Sequence, residues 1–170
     1  MTAARDDTLL VDLLTGAVAG VVGLWANDRV DWELYDRDSA ENKRRLVEAR
    51  PHGLDPAHHL VHKAARALGR TPPSQPNPAG IATHYAIGVG AAAAYAVLRR
   101  RFPAVGFGGG ALTGALLWLL QDEGLNTVTG LAGRPSDYPA SVHIRGLLAH
   151  ITFGVVVESI LRLRPGRAAL

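Results

Sequence analysis

Residues 79–98 read AGIATHYAIGVGAAAAYAVL, a run without a charged side chain, and the next three residues are Arg99, Arg100 and Arg101. An α-helix rises about 1.5 Å per residue, so roughly twenty apolar residues cross the hydrocarbon core of a bilayer, which is about 30 Å thick. A cluster of arginines directly after such a run is typical of the cytoplasmic end of a span. This stretch therefore predicts a transmembrane helix and indicates a membrane protein.

Three other runs have the same character, with charges only at or near their ends: residues 9–27, 102–121 and 142–161. Together with residues 79–98 they give four predicted spans. The chain has 170 residues, which is room for one compact unit. We therefore predict an all-α membrane protein, a single four-helix membrane domain over residues 1–170.

Glycines repeat at intervals of four residues in two of these spans. Gly16 and Gly20 lie in the first span, and Gly106, Gly110 and Gly114 lie in the third. Small residues at this spacing let helix backbones approach closely, which favours association in lipid. The pattern predicts a bundle packed through Gly and Ala, and repeated glycine faces are also compatible with a homo-oligomer. The alternative is that the Gly and Ala runs reflect only a coding bias.

The orientation follows from the short connections that hold Lys and Arg. The connection between the second and third spans is Arg99-Arg100-Arg101, and the C-terminal residues 162–167 hold three more arginines. The connection at residues 122–141 contains a single basic residue, Arg134. We therefore expect cytoplasmic N- and C-termini in a bacterial inner membrane.

A polar insert separates the first two spans over residues 28–78. Its residues 28–70 carry seventeen charges, nine basic and eight acidic. Asp55-Pro56 predicts the start of a helix, with an N-cap followed by proline in the first turn. The insert is therefore expected to be extracytoplasmic and partly helical, and residues 28–70 are a candidate surface for a protein partner.

Ionisable side chains inside a span are costly and rare, so they are the first candidates for function. We expect the following residues to form a polar column across the membrane: His84, Asp122, Glu123, His143, His150, Glu158 and Asp12. Such a column could pass protons or hold a cation, because histidine titrates near neutral pH. In the alternative interpretation each group is local. Glu158 would then pair with Arg162, and the histidines would be hydrogen-bonded packing residues.

Metal and haem sites are alternative hypotheses. His58 and His62 are four residues apart and would share one face of a helix, as in some metal sites, although a solvated histidine face is the simpler interpretation. His84 and His150 could ligate a haem from two helices, but their expected depths differ. No cofactor is predicted.

Nothing in the sequence indicates catalysis or nucleic-acid binding. The chain lacks cysteine, a GxSxG motif and a phosphate-binding glycine loop. Its densest basic stretch, residues 43–45, is flanked by Glu41 and Glu48, unlike a nucleic-acid footprint. We expect no catalytic residues, no enzymatic activity and no nucleic-acid partner, with the lipid bilayer as the surroundings.

Several spaced features carry a resemblance to a known family. They are a Gly-Ala-Val-Ala-Gly opening span that leads to a Trp and acidic residues (16–32), a histidine entering the second span (His84), a basic-Phe-Pro turn (101–103), and a closing span with His150 followed by Glu158. With these features the chain resembles the YagU family of bacterial inner-membrane proteins. The insert is more charged here than in that family.

The resemblance implies a multi-span plasma-membrane protein without an established activity, with a link to acid-stress tolerance. It assigns no functional residues. The leading hypothesis is therefore a non-enzymatic inner-membrane protein that contributes to acid or stress tolerance, or to proton or ion permeability. The alternatives are a membrane scaffold that binds a partner through the insert, and a haem- or metal-binding membrane protein.

Overall fold

The computed structural model describes residues 3–163, with side chains from residue 9 onward. The α-helices are α1 (Ala3–Asp36), α2 (Ala40–Ala49), α3 (Pro56–Ala67), α4 (Pro78–Arg101), α5 (Ala111–Leu117), α6 (Asn126–Val128) and α7 (Ala140–Arg162). Short 3₁₀ turns occupy Pro51–Gly53 and Pro135–Asp137. No residue between 3 and 163 lies in a β-strand.

Four helical segments of this region are long and apolar enough to cross a membrane: Leu9–Asp36, Pro78–Arg101, Pro103–Val128 and Ala140–Arg162. The predictions of an all-helical chain and of four candidate spans are confirmed. The arginines at positions 164 and 167, which were part of the basis for the predicted orientation, lie outside the described residues.

The first helix is longer than the sequence predicted. It continues through Asp36, whereas the first span was expected to end at residue 27. The charged side chains Asp28 and Asp31 remain on the helix because they meet partners on α4 and α7. The helix α1 therefore continues into the predicted insert, and the non-helical connection to α2 begins at Arg37.

The third span is not the continuous helix expected over residues 102–121. It starts as an irregular 3₁₀ segment, Pro103–Gly110, in which Gly108, Gly109 and Gly110 have φ values of 63°, 66° and 94°. Residues that carry a side chain rarely adopt this left-handed region of backbone conformation, whereas glycine adopts it without steric cost. The span then runs through α5, a π-helical segment, Trp118–Leu125, and α6.

Helix α1 packs along both α4 and α7. Its contact with α4 is close: a Cβ added to Gly16 would lie 2.7 Å from the Ala93 Cα, and one added to Gly20 would lie 2.9 Å from the Val89 Cα. Backbone thus packs against backbone at this interface. The buried core beside it consists of Ala19, Leu24, Ala92, Tyr95, Ala96, Phe153, Val157 and Leu161.

The third span packs against α7 with a regular register. Gly106 approaches the Glu158 carboxylate, with 3.4 Å between an added Cβ and Oε1. Gly110 lies against the backbone of Gly154, and Gly114 lies against the backbone of His150. The two segments run antiparallel, so each step of four residues along one matches a step of four along the other.

The insert is built from α2 and α3 and docks on the bundle. Asp55 caps α3 by accepting a hydrogen bond from the His58 backbone N–H at 3.1 Å. Helix α3 packs along α4. It also reaches the connection between the last two spans, where the His59 ring lies 3.2 Å from the Leu131 carbonyl and Lys63 donates to the Thr129 carbonyl at 2.8 Å.

Candidate functional site

The bundle has two chemically different ends. We call the end where α1 finishes and α4 begins the insert end, and the end that carries Arg99–Arg101 the arginine end. Ion pairs and polar contacts between helices concentrate at these two ends.

At the insert end, the first two spans are joined by a histidine–carboxylate pair. His84 Nε2 on α4 lies 3.0 Å from Asp28 Oδ1 on α1. The Tyr85 hydroxyl donates to the other oxygen of Asp28 at 3.4 Å. The side chain of Asp28 is 15 % exposed, so its interaction with His84 is only partly screened by solvent.

Two further histidines join the third span to α7. His143 Nδ1 lies 2.6 Å from Glu123 Oε1, and its Nε2 lies 3.0 Å from the Pro135 carbonyl. His150 Nδ1 lies 2.9 Å from the Gly146 carbonyl and 3.7 Å from Asp122 Oδ2.

The geometry at His143 has a direct consequence for protonation. Both ring nitrogens face oxygen atoms that act as acceptors when Glu123 is ionised. A neutral imidazole has only one N–H to donate, whereas an imidazolium has two. The pair is therefore satisfied only when it holds an additional proton, either on His143 or on the carboxyl group of Glu123.

Arg145 and Asp38 complete the insert end. Arg145 Nε donates to Asp31 at 2.7 Å, and its guanidinium carbon lies 5.2 Å from the centre of the Tyr35 ring. Asp38 accepts a hydrogen bond of 2.6 Å from the Ser141 hydroxyl. This bond is the main cause that lowers the pKa of Asp38 below its usual 3.8.

At the arginine end, the buried carboxylates pair with arginine. Glu158 is 2 % exposed and accepts from the Tyr95 hydroxyl at 2.6 Å, from Arg99 at 2.8 Å and from Arg162 at 2.7 Å. Asp12 is 1 % exposed and accepts from Arg100 at 2.5 Å. Arginine stays charged throughout the physiological pH range, so the cationic partners in these pairs do not titrate there.

The residues expected to form one polar column fall into two groups. His84, Asp122, Glu123, His143 and His150 lie at the insert end, and Asp12 and Glu158 lie at the arginine end. Between His150 and Glu158, the only polar side chain of α7 is Thr152, which bonds to its own helix. Phe153, Gly154 and Val157 are buried in this interval.

The middle of the bundle is thus packed with apolar side chains and glycine backbone. The described residues therefore do not form the expected column as a continuous polar path. The spacing along α7 predicted that His150 and Glu158 share one face of the helix. A shared face becomes a continuous polar path only if the facing helices contribute polar groups between the two residues. The facing residues 16–24 of α1 and 111–117 of the third span contain one polar side chain, Thr113.

The weaker metal candidates have other contacts. His58 Nδ1 lies 2.7 Å from Asp55, and His62 Nε2 lies 3.0 Å from the Pro73 carbonyl and 3.1 Å from Gln75. Within residues 3–163, no group of three or more potential ligands is placed to hold a metal ion. The two histidines considered for haem, His84 and His150, each contact a different carboxylate.

Several partners of the site were not predicted from the sequence: Asp28, Asp31, Tyr95, Arg99, Arg100 and Arg145. One signal was present, because Asp28, Asp31 and Tyr35 are spaced three and four residues apart and share one face if α1 continues past residue 27. The partners on α4 depend on the packing register between helices, which a single sequence does not reveal.

The fold and the charge pairs define a class: an all-helical chain with four candidate spans, compatible with a multi-pass membrane protein. Comparison of the chain with family models, curated proteins and solved structures finds no match. The resemblance to the YagU family therefore stays a prediction.

Proposed function

We propose that this chain is a non-enzymatic multi-pass protein of the bacterial inner membrane that contributes to acid tolerance through its insert end. The observation that carries the proposal is the difference between the two ends. Three histidine–carboxylate pairs lie at the insert end, one between the first two spans and two between the last two, whereas the buried carboxylates at the arginine end bind arginine.

Histidine and carboxylate side chains titrate in the range that acidification covers. Their ordinary pKa values are about 6.5 for histidine and about 4.3 for glutamate. Between these values a histidine–carboxylate contact is in general an ion pair. Above this range the additional proton is lost, and below it the carboxylate becomes neutral. Contacts at the insert end therefore strengthen on mild acidification and weaken in strong acid, while the arginine partners at the other end keep their charge.

The proposed orientation exposes the insert end to external acid. The short connection that contains Arg99–Arg101 is expected on the cytoplasmic side, which places the insert outside. Because the chain contains no cysteine, single-cysteine variants test this orientation directly. A membrane-impermeant maleimide added to intact spheroplasts should label Ser74→Cys and should label Ala104→Cys only after permeabilisation. The reverse pattern would contradict the orientation.

The acid response is tested on purified protein in nanodiscs. We expect the thermal stability of the unmodified chain to rise as the pH falls from about 8 to about 5.5, because the pairs gain charge. His143→Gln should make this rise smaller, because it removes one of the three histidine–carboxylate pairs. His62→Gln, a histidine outside the three pairs, is the matched control and should leave the profile unchanged.

Two outcomes would overturn the proposal. One is a stability profile that is flat in pH for the unmodified chain. The other is a profile that responds equally to both substitutions. Survival of cells that express each variant after an acid challenge supplies the biological readout, and only His143→Gln should reduce it.

A further inference from the structure

A cavity of about 160 Å³ lies at the insert end, where α1, α7, the third span and the insert meet. Its charged wall residues are Asp31, Arg50, Asp122, Glu123 and Arg145. A cavity of about 150 Å³ can hold a benzene molecule. The space therefore suits a ligand of about six non-hydrogen atoms.

Arg145 in this wall is incompletely satisfied. Its side chain is 7 % exposed, and its Nε donates to Asp31. Its Nη1 is buried and has no hydrogen-bond partner among the described residues. A buried N–H without an acceptor is costly, and an arginine fork matches the two oxygens of a carboxylate. The wall thus favours a ligand that brings a carboxylate to Arg145.

The other charged groups favour a positive charge on the same ligand. Three carboxylates and two arginines line the cavity. Asp122 makes only long contacts, 3.4 Å to the Asn126 amide and 3.7 Å to the His150 ring. An ionised carboxylate has about four acceptor positions, so Asp122 retains capacity for an ammonium group.

We propose that this cavity binds a small zwitterion of the α-amino acid type, with its carboxylate at Arg145 and its ammonium group at Asp122. A simple anion would meet the surplus of carboxylates, and a simple cation would leave Arg145 Nη1 without an acceptor. The inference does not rest on the acid response of the three histidine–carboxylate pairs. The cavity wall shares Asp122 and Glu123 with two of these pairs, so binding is measured at a fixed pH of 7.

Trp118 lines the cavity and serves as the reporter. The chain has three tryptophans, so the double variant Trp25→Phe/Trp32→Phe leaves Trp118 as the sole emitter. The full chain in nanodiscs is titrated with glycine, acetate and methylammonium. We expect a saturable change in Trp118 emission with glycine, at least about tenfold tighter than with either singly charged probe, because each of those loses one charged contact. No saturable response to glycine, or an equal response to acetate or methylammonium, overturns the proposal.

Location in the cavity is tested with a matched pair of variants. Ala132→Leu adds volume to the cavity wall, and Ala94→Leu makes the same change at an exposed position of α4. The glycine response should disappear in the first variant and persist in the second, with unchanged circular dichroism in both. Persistence in Ala132→Leu places binding elsewhere and refutes the assignment.

A second variant keeps the proposal testable if Ala132→Leu fails to fold. Arg145→Lys keeps the positive charge but loses the fork that matches a carboxylate. It should weaken glycine binding about tenfold while the pH profile of stability, which depends on His143, is retained. Undiminished glycine binding in this variant would overturn the role of Arg145, and a normal pH profile without glycine binding separates this proposal from the acid response.

Discussion

The contact between α7 and the third span allows a quantitative test at Gly154. A Cβ added there would lie 2.8 Å from the Gly114 N and 3.1 Å from the Gly114 Cα, and closer still to the Gly110 carbonyl oxygen. All three are backbone atoms, so no rotamer change can relieve the overlap. The overlap with the Gly110 carbonyl oxygen is the largest, so the two segments must separate by about 1 Å to reach an ordinary contact of about 3.4 Å.

The expected cost of Gly154→Ala follows from this overlap. Overpacking of a tight interior costs about 1–3 kcal/mol, and the better helix propensity of alanine returns up to about 1 kcal/mol. Because three backbone atoms overlap with the added Cβ, the cost lies in the upper part of this range, and we expect a net loss of about 1–2 kcal/mol and a fall in Tm of about 2–8 °C. The assay is thermal unfolding of both proteins in the same detergent, monitored by circular dichroism.

Gly90 supplies the matched control, since it is also a glycine within a candidate span. It is exposed, and an added Cβ would meet no atom within 4 Å. Gly90→Ala should therefore leave stability unchanged or raise it by up to about 1 kcal/mol. If the two variants proved equally stable, the close backbone contact between α7 and the third span would be refuted.

Four further substitutions test contacts at the two ends and in the insert. Tyr95→Phe removes a hydrogen bond to a buried carboxylate and should cost about 2 kcal/mol. Glu158→Gln should cost more, because it leaves two arginines without their shared anion. Equal losses of stability in thermal unfolding would contradict this order. Ser141→Ala should raise the pKa of Asp38 towards its usual value, as followed by NMR. The lowered pKa means that the stabilising contribution of Asp38 is present above pH 3.8 and is lost as the pH falls through its lower folded value. An unchanged pKa would exclude Ser141 as the main cause. Asp55→Ala removes the N-cap of α3 and should destabilise its first turn by about 1 kcal/mol, seen as faster amide exchange there and not in α7.

The spans were predictable because a charge in lipid is costly, so uncharged runs of sufficient length are a strong signal. Their ends were less predictable. α1 continues past Asp28 and Asp31 because these side chains face His84 and Arg145, so a charge that marks the end of a run does not mark the end of its helix. The third span departs from a regular helix at Gly108–Gly110, where the φ values depend on packing that periodicity does not express.

The candidate site was predictable only where it is local. The contact of Glu158 with Arg162 lies within one helix turn, and the sequence already offered it as an alternative. The contacts of Glu158 with Tyr95 and Arg99 cross to another helix and depend on the relative position of α7 and α4 in the bundle. The seven residues of the expected column lie at the two ends of the bundle, and a continuous column would need polar groups between them that the facing helices do not supply.

The docking of the insert also sets an order of events during synthesis. His59 contacts the Leu131 carbonyl, which lies 72 residues later in the chain. At about 5–20 residues per second, roughly 4–14 s of translation separate the emergence of these two partners. For that interval the insert is already made, but the carbonyl oxygens that His59 and Lys63 contact do not yet exist. The contacts at the insert end can therefore form only after the third span has been made. The connection between the last two spans then holds the insert, which is the connection between the first two, in place.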